Sequence, residues 1–143
     1  MTTIVYKDGI IAYDTRCGAG TSIVSDNYDK KYVVDDKVFF IAGYTSQIPT
    51  IIETYPDKDV EDEIYFSAFV VEGETVYMYC SDGDGVAHKH LISGTHNCYA
   101  IGSGCDHAYT AMDYGASAKE AVKAAMKRDM RTGGRVRLYK VGK

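Results

Sequence analysis

The residues of this chain whose types could do chemistry begin at its second position. Thr2 follows Met1 directly, and its side chain is small enough that removal of the Met is expected, leaving a hydroxyl and a free α-amine on one residue. Those are a nucleophile and its own base. Two runs of β-branched and aromatic residues follow, Thr3 to Tyr6 and Ile10 to Tyr13, separated by Asp8-Gly9. The dipeptide predicts a tight hairpin, and antiparallel pairing then brings Thr2 near Asp14 at the open end. A carboxylate beside a hydroxyl and an amine completes a self-contained reactive group. On this stretch alone a first strand that merely starts with a threonine is the better account, and what overturns it lies further along the chain.

Other candidates carry less. His88 and His90 alternate onto one strand face, but no third ligand stands at a metal-binding spacing, so they read as surface or half-buried histidines. Ser81-Asp82-Gly83-Asp84-Gly85 is too short for a calcium loop and lacks its closing glutamate, so it reads as a turn. Gly102-x-Gly104 lacks the wider glycine pattern of a dinucleotide site. Asp129 is different. Ser117-Ala118-Lys119-Glu120 has the form of a capping box, and Val122, Ala125 and Met126 form the apolar stripe of the helix it opens. Asp129 falls next in that series, where a carboxylate is costly unless paired. A structural ion pair and a site residue explain it equally well.

The elements that must position these groups fit one domain over residues 1–143. Strands are expected around Ser22 to Val24, Tyr32 to Val34, Val38 to Ile41, Ile64 to Val71, Thr75 to Cys80 and Val86 to Leu91, with Arg16 to Gly20 as a loop. Ile48, Ile51, Ile52 and Tyr55 mark one short helix, with Ser46 as its cap and Pro49 in its first turn. Asp106 to Tyr114 and the capped helix follow. Gly133-Gly134 stops the latter, and a strand from Val136 closes the chain. The order implies antiparallel sheets with helices packed outside. A formal charge of −4 argues against a nucleic-acid binder. No apolar run reaches the length of a membrane span, no leader is evident, and the four scattered cysteines read as free thiols, so a cytoplasmic location is expected.

Several stretches, in order, resemble the N-terminal-nucleophile hydrolases of the proteasome β-subunit and HslV peptidase type. Thr2-Thr3-Ile4-Val5 looks like their mature start, and Asp14 stands where they have an acidic residue at the end of the second strand. Lys30-Lys31 resembles their lysine pair, of which the second is catalytic, and Phe40-Ile41-Ala42-Gly43 the strand end that lines the oxyanion hole. Cys80 to Val86 is similar to a mid-chain hairpin turn. Ala100-Ile101-Gly102-Ser103-Gly104 is the most specific piece, and Gly115 to Ala121 and Arg128-Asp129-Met130-Arg131-Thr132-Gly133-Gly134 follow in the family's order. The first hairpin is shorter than the family's, and only one short helix fits between Gly43 and Ile64 where the family has a long pair.

The resemblance implies an α+β, four-layer αββα sandwich with one outer helical layer reduced. It also implies a threonine peptidase acting on peptides or unfolded protein, built as a homo-oligomer, without metal or cofactor. Thr2 Oγ1 would attack the carbonyl and its α-amine would take the proton. Lys31, held by Asp14, would tune that transfer, the Gly43 N–H would hold the oxyanion, and Ser103, Asp129 and Thr132 would fix the amine. The thinned helical layer leaves ring geometry and docking of an unfoldase partner outside what the resemblance implies. A small-molecule amide hydrolase of the same superfamily, and an inactive assembly or binding module that retains Met1, are the alternatives.

Overall fold

The computed structural model describes residues 2–94 and 97–142 and has a mixed α+β architecture. The opening hairpin forms as its sequence requires. β1 (Ile4–Lys7) and β2 (Ile10–Asp14) pair in the register Ile4 with Tyr13 and Lys7 with Ile10. Asp8 and Gly9 both take positive φ, 52° and 76°, the mirror-image turn that matches strand twist and that Asp-Gly accepts readily. The stretch expected to be a loop contains a strand instead. β3 (Cys17–Ala19) and β4 (Ser22–Ser25) form a separate two-stranded ribbon that turns at Gly20. β3, Cys-Gly-Ala, has no large apolar side chain to bury, so composition did not mark it, whereas β4 lies at the strand expected around Ser22 to Val24.

β5 (Lys31–Val34), β6 (Lys37–Gly43), β7 (Tyr65–Glu72), β8 (Thr75–Asp82) and β9 (Ala87–Leu91) make a five-stranded antiparallel meander. β10 (Tyr99–Ile101) and β11 (Val136–Lys140) complete a four-stranded sheet in the order β10-β1-β2-β11. Between β6 and β7 lie a 3₁₀ turn and α1 (Ile48–Thr54); between β10 and β11 lie α2 (Cys105–Asp113) and α3 (Ala118–Arg128). Ser46 does not cap α1: Gln47 occupies the cap position without a side-chain bond. The Ser117 capping box is fully formed, with Ser117 Oγ accepting from the Glu120 N–H and Glu120 accepting from the Ser117 N–H.

Three clusters of buried side chains show how these pieces stack. Ile4, Tyr6, Ile11 and Tyr13 meet Phe40, Phe69, Val71 and Val76 between the two sheets. On the other face of the four-stranded sheet, Val5, Ala12 and Ala100 pack against Ala108, Met112, Ala121 and Val122 of α2 and α3. On the other face of the five-stranded sheet, Phe39, Ile41, Phe66 and Tyr79 are covered by Ile48 and Ile51 of α1. The continuous apolar run of β6 follows from this arrangement, since Phe39 and Ile41 face one cluster and Phe40 and Ala42 the other. One seven-residue helix is too short to cover its sheet face alone. The Tyr55 ring extends the cover, wedged edge-on against Phe39 and Tyr79 at 5.4 and 4.9 Å between centroids. No helix among the described residues is long and apolar enough to cross a membrane.

Candidate active site

The hairpin register places the site. With Ile4 opposite Tyr13, the next pair toward the open end is Thr3 and Asp14, and the Asp14 N–H donates to the Thr3 carbonyl at 3.3 Å. Thr2 lies one residue further and is 2% exposed. Its Oγ1 donates to Asp14 Oδ1 at 2.5 Å. Asp14 is fully buried, and its carboxylate is saturated with donors. Oδ1 also accepts the Thr3 N–H at 3.1 Å and Lys30 Nζ at 2.6 Å, and Oδ2 accepts the Gly133 N–H at 3.0 Å and the Arg16 N–H at 3.4 Å. Such a donor shell replaces the hydrogen bonds that a buried carboxylate loses with water.

The lysine is Lys30. Its ammonium donates to both Thr2 Oγ1 and Asp14, and the residue is 4% exposed. Lys31, expected to be the catalytic member of the pair, is not in the site. It opens β5 opposite Phe40, whose side chain lies in the cluster between the sheets, and its Nζ sits 5.9 Å from the centre of the Tyr139 ring. Successive strand residues face opposite ways, so placing Lys31 on that side turns Lys30 to the other. Burial of Lys30 pushes its pKa below the ordinary lysine value, although Asp14 pulls in the opposite direction.

A second polar chain runs from the Thr2 nitrogen. The Thr2 N–H donates to Ser103 Oγ at 3.1 Å, and Ser103 Oγ donates to Asp129 Oδ2 at 2.6 Å. Thr132 Oγ1 donates to the same oxygen at 2.6 Å and lies 2.7 Å from Thr3 Oγ1. Of the three residues expected to hold the Thr2 nitrogen, only Ser103 touches it; Asp129 and Thr132 act through Ser103 and Thr3. Asp129 is also not on the helix stripe. α3 ends at Arg128, and Asp129 takes an extended conformation with φ −96° and ψ 115°. Burial works to raise the Asp129 pKa, but the Ser103 and Thr132 hydroxyls and the Arg131 N–H outweigh it and hold the carboxyl below its usual range.

The glycines between β10 and α2 exist for this contact. A Cβ on Gly102 would stand 2.1 Å from the Thr2 carbonyl oxygen, and one on Gly104 would stand 2.1 Å from Thr3 Oγ1. Gly102 also has φ +98°, outside the range of an ordinary side chain. Gly133, read as part of a helix stop, holds Asp14 through its amide and packs against the Arg16 guanidinium. Two consecutive glycines are more than a helix stop requires, and that surplus was the available signal.

Thr2 and Lys30 open onto a cavity of about 790 Å³. Gly43 at the end of β6 lines it, as do Ile41, Ile48, Ile23 of the β3–β4 ribbon and Met130. His88 and His90 lie far along the chain on β9, stacked with ring centres 6.2 Å apart and exposed. Among the described residues no group of three His, Cys, Asp or Glu side chains is placed to hold a metal ion. What the site offers is one hydroxyl shared by an ammonium and a carboxylate, with the nitrogen of the same residue on a separate hydroxyl–carboxylate relay.

No family model matches the chain, and no curated protein does. Solved structures do match over nearly the whole length. Thiobacillus denitrificans BPH in complex with epoxomicin superposes with a TM-score of 0.68 at 21% identity, covering 98% of each chain. A further structure of Thiobacillus denitrificans BPH gives 0.66 at 19% identity, covering 98% of this chain and 97% of that one. At this level of identity the likeness establishes a common fold: this chain is folded as Thiobacillus denitrificans BPH is.

Proposed function

We propose that this protein is a threonine-type N-terminal-nucleophile hydrolase of the proteasome β-subunit and HslV kind, a shortened αββα sandwich that cleaves peptide bonds. The observation that carries the reading is the double grip on Thr2, with Oγ1 held by Lys30 and Asp14 and the nitrogen by Ser103. Removal of Met1 converts that nitrogen from an amide into an amine, with an ordinary pKa of about 7.7–8.0. The amine takes the Oγ1 proton as the oxygen attacks the scissile carbonyl. Lys30, as an ammonium already donating to Oγ1, stabilises the charge that develops there, and Asp14 keeps it in place. The Gly43 N–H, at the end of β6 where the chain lines the cavity, is the proposed donor for the oxyanion. The amine then delivers its proton to the leaving nitrogen, and water hydrolyses the ester on Thr2.

The fold-mate bound to epoxomicin supplies the probe. An epoxyketone offers two electrophilic carbons, suited to a hydroxyl and an amine on one residue. Protein with Met1 removed, as established by intact mass, is expected to cleave unstructured peptides and to gain the mass of one epoxyketone on Thr2. Thr2→Ala is expected to do neither while keeping its thermal transition. Equal peptide turnover by Thr2→Ala, or by a preparation that fully retains Met1, overturns the reading.

A further inference from the structure

The chain carries a formal charge of −4, yet its cavity is lined the other way. Arg16, Lys30, Arg128 and Arg131 face it, and Asp129 is the only acid among its described lining residues. Two of those cations are already matched. Arg16 donates to both oxygens of Asp26 at 2.8 and 3.1 Å, and Lys30 is paired with Asp14 at 2.6 Å. Asp129 spends its carboxylate on two hydroxyls and the Arg131 N–H. Arg128 and Arg131 remain, both exposed residues that line the cavity three positions apart in the chain, and their guanidinium groups have no hydrogen bond or ion pair among the described residues. The acidic stretch from Asp57 to Glu63 contributes nothing to this cavity. A cleft focuses the field of charges at its wall, so two guanidinium groups here act on whatever enters.

Geometry also says which part of a substrate they meet. The Thr2 amine that takes the hydroxyl proton must return it to the leaving nitrogen, so the leaving group lies on the nitrogen side of Thr2. That side is built by Ser103 and Asp129, and Arg128 and Arg131 flank Asp129 in sequence and line the cavity with it. With the Gly43 N–H as the proposed oxyanion donor, the acyl side is the Gly43 side, where the lining also includes the apolar Ile41 and Ile48. We infer that the site selects substrates with a carboxylate on the leaving-group side of the scissile bond, an inference resting on the hydrolase reading above. A planar guanidinium takes a carboxylate through paired hydrogen bonds. The carboxylate is either an Asp or Glu side chain just after the bond or the free C-terminus of a short leaving peptide.

The test uses quenched peptides that differ only in Glu or Gln at the first two positions after the cleaved bond. A second set ends there as free acid or amide. At low salt the wild type is expected to favour Glu over Gln by about five-fold in kcat/KM, the scale of two partly exposed pairs, and the ratio should shrink in high salt. In the Arg128→Gln, Arg131→Gln double variant the ratio should fall to about one, and Arg131→Glu should turn the preference toward a Lys peptide. Preference for acid over amide without a Glu effect assigns the carboxylate to the C-terminus. A wild-type ratio of one in both sets, or a ratio unchanged in the double variant, overturns the inference. The same peptides are bound to Thr2→Ala protein by fluorescence anisotropy. Carboxylate-selective binding that depends on the two arginines, without wild-type turnover, retires the hydrolase and keeps the carboxylate site. Turnover without selectivity does the reverse, and neither one overturns both.

Discussion

Which lysine touches Thr2 decides how the site works at the scale of single residues. Alternation along a strand meant that only one of Lys30 and Lys31 could face Thr2, and that much was legible. Which one was not, because the parity of β5 is fixed by its partner: Phe40 lies in the core between the sheets, so Lys31 opposite it is turned that way too. A pattern matched along one strand carries no knowledge of its neighbour's register. Lys30→Ala is expected to lose about 10²–10³-fold in kcat, and Lys31→Ala to stay within a few-fold of wild type; steady-state kinetics with one peptide separates them, and the opposite ranking would return the role to Lys31. The pH profile adds a sign. On the proposed mechanism, activity needs the amine deprotonated and Lys30 protonated, so it should rise through the amine pKa and fall as pH passes the Lys30 pKa. Burial lowers the latter, so the alkaline fall should come below the ordinary lysine value of about 10.4. A profile flat to beyond that value would remove Lys30 from the proton economy of the reaction.

Among the elements, the connection from β10 into α2 constrains the site most. Gly102-Ser103-Gly104 carries the Ser103 hydroxyl between two glycines whose missing side chains leave room for the Thr2 and Thr3 backbone and hydroxyl. Gly102→Ala is therefore expected to cost several-fold or more in activity and to lower the melting temperature, read by calorimetry and peptide turnover on one preparation. An unchanged variant would mean the connection yields more easily than its 2.1 Å approach implies. The hairpin and the Ser117 capping box were legible because their signals are local, a dipeptide with the right φ preference and a reciprocal pair three residues apart. Asp129 shows the limit of such signals. Its place in the series from Val122 fits a helix, yet the chain leaves the helix there because the carboxylate has better partners in Ser103, Thr132 and the Arg131 N–H. Those bonds arise from tertiary contact, and periodicity carries no trace of them.

Over the whole molecule, the site joins parts of unequal firmness. β1 is paired on both flanks, by β10 and β2, and lies between the inter-sheet core and the helices α2 and α3. Among the described residues the β3–β4 ribbon is a sheet of two strands paired with each other; it presents Ile23 and Val24 at 55% and 65% exposure, and the Arg16–Asp26 ion pair ties it at its base. Hydrogen exchange should show this directly: amides from Ile4 to Tyr6 and Ile11 to Tyr13 exchanging only with global unfolding, and those of Cys17 to Ser25 orders of magnitude faster. Uniform exchange across both would contradict it. The difference bears on how a long chain could be admitted. A groove closed on all sides by firm structure must be fed from a free end. On the proposed peptidase reading, a ribbon that opens locally while the nucleophile and its partners keep their positions would let a polypeptide be laid in broadside, from the middle of its length.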